Sequence, residues 1–97
     1  MNEQENLDSK LVKYRSLTQE ALAKVSVKKG IGEKEKAMAE KLLEMAKSYF
    51  HDAGYFEEKN MPLTALAAYS YAHAWIDAGV RLGLLDGKGD DKLFILP

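Results

Sequence analysis

The chain has 97 residues, of which 46% are hydrophobic and 30% are charged, and its formal net charge is -1 at pH 7. This length suits one domain with one core, and the small net charge excludes a strong overall attraction to nucleic acid or an anionic membrane. The absence of cysteine excludes disulfide bonds and thiolate metal sites. The acidic, polar start at residues 1–5 is unlike a signal peptide, and no apolar run is long enough to span a bilayer. We therefore expect a cytoplasmic protein.

The first predicted helix runs from about residue 8 to about residue 27. Either Asp8 or Ser9 can cap its start. At its end, Lys28 and Lys29 complement the negative end of the helix dipole, and Gly30 tolerates a left-handed exit. Its apolar stripe recurs at helical steps of four and three residues: Leu7, Leu11, Tyr14, Thr18, Ala21 and Val25.

The second predicted helix runs from about residue 33 to about residue 59 and contains Gly54, where we expect a close helix contact or a slight bend. The third helix starts near residue 61, with Pro62 in its first turn, and continues to about residue 85. The tail, residues 86–97, carries the apolar run 93–96, which we expect to pack as an extended segment. The stripe of the second helix is formed by Met38, Leu42, Met45, Tyr49, Ala53 and Phe56.

Short loops between long helices favour antiparallel neighbours. The sequence therefore predicts an all-α fold, with residues 1–97 forming a single helical-bundle domain. The expected architecture is a three-helix antiparallel up-down-up bundle around one core, with a short extended C-terminal tail packed on it.

The third helix carries more apolar surface than one core requires, because apolar residues cover most of its circumference between residues 66 and 84. In one interpretation, the helix packs against both other helices and the tail. In the other, one apolar face stays exposed and binds a partner protein or a second copy of the chain. The candidate interface residues are Ala68, Tyr71, Trp75 and Leu82.

Four polar residues on these helices form a candidate cluster between the second and third helices: Asp52, His73, Asp77 and Arg81. The last three are spaced four residues apart along the helix, and Arg81 is the natural partner for a buried carboxylate. We interpret the cluster first as a structural hydrogen-bond network. The alternatives are a metal site, a site for a small anion, or acid–base chemistry by a histidine.

No motif in the sequence indicates a reaction. A P-loop, a dinucleotide fingerprint, a zincin motif and a nucleophile elbow are all missing, so we predict no catalytic residue, no metal ligand set and no cofactor. Glu33 and Glu35 interrupt the lysines around the first loop, so we interpret those lysines as a solvated turn and nucleic-acid binding as improbable. The lysines in question are Lys24, Lys28, Lys29, Lys34 and Lys36.

Residues 52–59, 65–68 and 71–84, together with the closing run 93–95, resemble the archaeal domain of unknown function 357. The specific part of this resemblance is the segment 75–84, Trp-Ile-Asp-Ala-Gly-Val-Arg-Leu-Gly-Leu. The resemblance implies an archaeal cytoplasmic protein, and an accessory role, because some relatives carry the domain beside a nucleotidyltransferase-like domain. It implies no catalytic residue.

Three hypotheses of function follow. The first is a non-enzymatic interaction module that acts by self-association or by docking to a partner protein. The second is a small-ligand or metal-binding module centred on the polar cluster, and the third is weak RNA binding.

Overall fold

The computed structural model describes residues 6–97 and contains three helices, α1 (Leu7–Lys24), α2 (Glu33–Glu58) and α3 (Pro62–Arg81). The acidic start at residues 1–5 lies outside the described residues. The cap of α1 is Asn6, two or three residues earlier than expected, and its side chain accepts a hydrogen bond from the backbone N–H of Ser9 at 3.0 Å. Within residues 6–97, none of the helices is long and apolar enough to cross a membrane. The predicted all-α three-helix bundle is confirmed.

Buried contacts define the up-down-up order of the helices. Leu11, near the start of α1, belongs to the same apolar cluster as Ala53, near the end of α2, and Ala65, near the start of α3. At the opposite end of the bundle, Ala21 of α1 and Ala39 of α2 lie in one cluster with the last turns of α3. The central helix is α3, which packs extensively against both neighbours, whereas α1 and α2 contact each other little.

Small side chains bring α2 and α3 close together. Both helices place small residues in their interface, which permits a short distance between helix axes. At Gly79 of α3, an added Cβ would lie 3.2 Å from Cδ1 of Leu42 and 2.7 Å from Cγ of Leu85. The close contact expected at Gly54 is wrong, because a Cβ there would meet no atom within 4 Å. The fully buried alanines of α2 recur every seven residues, at Ala39, Ala46 and Ala53.

The buried apolar residues form two clusters rather than the single core expected. The larger cluster includes Ile76 and Phe94, and the smaller one includes Leu11 and Tyr69. Between them along α1 and α3 lie Thr18, which is fully buried, and His73, and the two side chains form a hydrogen bond. A polar pair therefore separates the two apolar clusters.

Helices α1 and α3 end earlier than predicted, and a short strand follows each of them. Strand β1 (Ser26–Val27) follows α1, and strand β2 (Leu85–Asp86) follows α3. The strands pair antiparallel, with Ser26 opposite Asp86. Because each strand is only two residues long, it leaves no alternating pattern that the sequence could reveal.

The tail packs on the bundle, as expected, with turns between residues 87 and 94 ahead of the last three residues, 95–97. The N–H of Asp90 donates to the carbonyl of Gly87, and the N–H of Phe94 donates to the carbonyl of Asp90. The carboxylate of Asp90 accepts hydrogen bonds from the backbone N–H groups of Lys92 and Leu93. These turns bury Phe94, which is 3% exposed, beneath the end of α3.

Candidate functional site

His73, the centre of the predicted polar cluster, lies at the seam between α1, α3 and the tail. Its Nε2 lies 2.6 Å from the carbonyl oxygen of Leu93, and its Nδ1 lies 3.2 Å from Oγ1 of Thr18. A carbonyl oxygen only accepts hydrogen bonds, so Nε2 carries the proton and donates. Both ring nitrogens of His73 are therefore used to join the tail to α1.

Asp77 and Arg81 also hold the tail. Oδ1 of Asp77 accepts a hydrogen bond from the N–H of Ile95 at 3.1 Å, and Arg81 donates to the carbonyl of Leu96 at 3.1 Å. In the part of the chain that the structure describes, these two side chains do not pair with each other. The predicted i, i+4 spacing thus presents three successive side chains to the tail backbone.

Asp52 does not join this cluster. It is exposed on α2, whereas the hydrogen bonds of the other three residues run to α1 and the tail. The expected location between α2 and α3 is therefore wrong. Among residues 6–97, no group of three His, Cys, Asp or Glu side chains is placed to hold a metal ion. The cavity beside His73 and Asp77 is about 230 Å³, below the roughly 300–1,000 Å³ of ordinary ligand sites.

A second polar cluster, absent from the sequence predictions, joins all three helices. Arg15 of α1 contacts Glu57 of α2 at 2.6 Å, and the hydroxyl of Tyr69 of α3 donates to the same carboxylate. Burial of Tyr69, which is 2% exposed, and then its hydrogen bond to Glu57 raise the pKa of the phenol. Arg15 and Glu57 are 42 positions apart, so no local spacing could have revealed the pair.

The outward side of α3 is named here the outer α3 face. Its large side chains are Leu63 and Leu82, each 70% exposed, and Tyr71, which is 53% exposed. Small residues lie between them, and the charged side chain of Arg81 lies at the C-terminal end of the face. The face is formed by Leu63, Thr64, Ala67, Ser70, Tyr71, Ala74, Ala78, Arg81 and Leu82.

The four candidate interface residues have different positions relative to this face. Tyr71 and Leu82 lie on it. Trp75 is half-buried and packs against the larger apolar cluster. Ala68 is only 9% exposed and lies in the smaller cluster with Ala53, so it cannot contact a molecule bound at the outer α3 face.

An aromatic ridge borders the outer α3 face on the side of α2. Tyr71 meets Tyr49 of α2 edge to face, with ring centroids 4.7 Å apart, and lies 6.2 Å from the ring of Trp75. Nε1 of Trp75 is buried and has no acceptor among the described residues. The ridge makes the exposed surface of α3 continuous with α2.

Comparison with known families identifies one match. The family model described as "Protein of unknown function (DUF357)" matches residues 13–85. This range contains α2, α3 and most of α1, and with them the outer α3 face. The predicted resemblance is confirmed, although the match begins earlier in the chain and stops before the run 93–95. Comparisons with curated proteins and with solved structures found no match.

Proposed function

Because the chain belongs to DUF357, a family of proteins of unknown function, we propose its role from its surface: a non-enzymatic interaction module that binds protein through the outer α3 face. The observation that carries the proposal is the exposure of Leu63, Tyr71 and Leu82 on one side of one helix. Apart from Arg81 at one end, the exposed residues between them are small and uncharged, so the surface offers water few polar partners. Contact with another protein removes such a face from water.

The energetic reason is the free energy of burying apolar surface. Single exposed apolar residues are common on monomeric proteins, but contiguous exposed apolar surface usually indicates an interaction site. Complete burial of one leucine side chain contributes about 1.5–3 kcal/mol. Leu63 and Leu82 are each 70% exposed, so most of this free energy is still available to a binding partner.

The two other hypotheses have less support. Both ring nitrogens of His73 and Oδ1 of Asp77 are already used by α1 and the tail, which favours a structural role for these two residues. Around the first loop, Lys24 pairs with Asp90 at 2.9 Å, and the acidic residues Glu33 and Glu35 occupy the first turn of α2. This mixed charge is a poor match for an RNA backbone.

A photo-crosslinking experiment tests the proposal. A photoreactive phenylalanine analogue placed at Ala74, in the middle of the outer α3 face, should give a discrete protein adduct in the native cells. The control position is Ser48, which is also exposed in a helix but lies among the charged residues of α2. Adducts from Ala74 alone support the proposal, and equal or absent adducts at the two positions contradict it. The mass of the adduct distinguishes a second copy from a different protein.

A further inference from the structure

We infer that the partner of the outer α3 face is a second copy of this chain, bound antiparallel about a two-fold axis near the middle of α3. This inference rests on the proposed function and names its partner. Its basis is the spacing of the central row of the face, which runs in steps of four, four, three, four and four residues. Such a row reads the same from either end. Its members are Leu63, Ala67, Tyr71, Ala74, Ala78 and Leu82.

A two-fold rotation pairs large side chains with suitable partners. With the axis between residues 72 and 73, Leu63 of one copy lies opposite Leu82 of the other. Tyr71 then lies opposite Ala74, so the largest side chain of the row meets one of the smallest. Ridges that fit into gaps in this way are the usual basis of close helix packing. Because both copies use the same surface, the assembly closes as a dimer.

The antiparallel arrangement is favoured over a parallel one by charge and by shape. In a parallel pair, Arg81 would face its own copy, and Tyr71 would meet Tyr71. In the antiparallel pair, the two arginines lie at opposite ends of the interface, where water still reaches them. The side chain of Arg81 also donates to the carbonyl of Leu96, which draws its charge toward the tail. Opposed helix dipoles add a further favourable contribution.

The available area indicates a weak dimer. A 20-residue helix is about 30 Å long and about 10 Å wide, so α3 alone offers roughly 300 Å² of contact. Stable complexes bury about 800 Å² per partner. Contact with the aromatic ridge can enlarge this area but leaves it below that of a stable complex. We therefore expect reversible association at micromolar concentrations or higher.

Disulfide trapping tests this register directly, because the chain has no native cysteine. The double variant Leu63→Cys/Leu82→Cys should form a covalent dimer when it is oxidised with oxidised glutathione. Either single variant should stay monomeric, since two copies of residue 63 would be about 28 Å apart in the antiparallel pair. The same separation prevents a disulfide within one chain. The matched control, Glu40→Cys/Glu58→Cys, places two exposed cysteines at similar spacing on α2 and should not crosslink.

Each outcome has a definite meaning. A reducible dimer from the double variant alone supports the two-fold arrangement. Crosslinking of the Leu82→Cys single variant would indicate a parallel pair, and monomers throughout, with thiols that react freely in solution, would overturn the dimer. If the dimer fails while Ala74 still gives an adduct with a different protein, the proposed function stands without this inference. If no adduct forms either, both fail.

An equilibrium measurement supplies an independent readout. Sedimentation over about 10–500 μM should show concentration-dependent mass for the natural chain, spanning the weak range of such interfaces. Ala74→Glu, which places a charge at the centre of the interface, should weaken association at least tenfold, whereas Ser48→Glu should not. Fluorescence of Trp75, the single tryptophan, should shift with concentration in the natural chain and in Ser48→Glu but not in Ala74→Glu. A concentration-independent monomer mass would overturn the inference.

Discussion

The outward surfaces of α2 and α3 differ in charge although the two helices pack against each other along their length. On α2, ten of the fifteen exposed residues are charged, whereas on α3 the charged fraction is one of eight, and that one is Arg81. An outward helix face is normally polar because only its inward stripe is buried. The difference shows that α2 has one side for the core and one for water, whereas α3 has apolar surface on both sides. This difference between α2 and α3 can be tested by substitutions, first at buried positions and then on the outer α3 face.

Substitution of Gly79 by alanine should have the largest effect, because the inward side of α3 has no spare room. The added Cβ would lie 3.2 Å from Leu42 and 2.7 Å from Cγ of Leu85. Overpacking of this kind costs about 1–3 kcal/mol, which should exceed the gain from alanine's higher helix propensity. Urea unfolding followed by circular dichroism measures the change. An unchanged or higher free energy of unfolding would show that α3 has room on its inward side.

Tyr69→Phe should have the next largest effect, since it removes the polar link between the inward sides of α2 and α3. Loss of the hydrogen bond to Glu57 should lower the free energy of unfolding by about 1–2 kcal/mol at pH 7.

The same variant should also change the dependence of stability on pH. The folded-state pKa of Tyr69 is raised, so its contribution is complete below the unfolded-state pKa of about 10 and declines as the pH rises further. Above pH 10 the natural chain should therefore lose up to about 1.4 kcal/mol per pH unit from this group. Tyr69→Phe should lack this part of the decline, and parallel stability curves for the two proteins from pH 9 to pH 11 would refute the assignment.

Gly54→Ala, on α2, should change the free energy of unfolding in the opposite direction. A Cβ at Gly54 meets nothing within 4 Å, so only helix propensity changes. We expect the free energy of unfolding to rise by about 0.5–1 kcal/mol. Thermal unfolding of this variant beside Gly79→Ala compares an open glycine with a packed one. If both substitutions shift stability in the same direction, the distinction between the two positions is lost.

Leu82→Lys should have the smallest effect on the folding of the chain, because it gives the outer α3 face the chemistry of α2. The side chain is 70% exposed, and a lysine suits the end of a helix. The free energy of unfolding at low protein concentration should change by less than about 0.5 kcal/mol. Self-association measured by sedimentation should nevertheless weaken. A large loss of monomer stability would instead indicate that Leu82 belongs to the core.

The helices could be predicted from the sequence because their apolar residues recur at a period that backbone geometry imposes. The two-sided character of α3 was visible for the same reason. The early ends of α1 and α3 could not be predicted, because β1 and β2 are each stabilised by pairing with a segment far away in the chain. Helical periodicity also could not separate Gly54 from Gly79, since only the distances to Leu42 and Leu85 show which glycine is packed.

The polar residues were harder to predict than the apolar ones. His73, Asp77 and Arg81 share a side of one helix, so their proximity follows from local spacing. Asp52 lies on another helix at the border of the apolar stripe, and a helical wheel does not show whether such a border position is covered or, as here, exposed. The ion pair between Arg15 and Glu57 could not be predicted either, because it depends on how α1 and α2 are aligned in three dimensions.

The attachment of α1 mainly through α3 has a consequence for local unfolding. If α1 separates from the bundle, the antiparallel α2–α3 pair keeps its alanine-lined contact and its outward surface. Segments with few partners open at lower free energy than the rest of a protein. We therefore expect the amide hydrogens of α1 to exchange with solvent before those in the middle of α2 and α3. The surface that we assign to binding would then survive an opening that exposes Thr18 and the side of α3 that packs against α1.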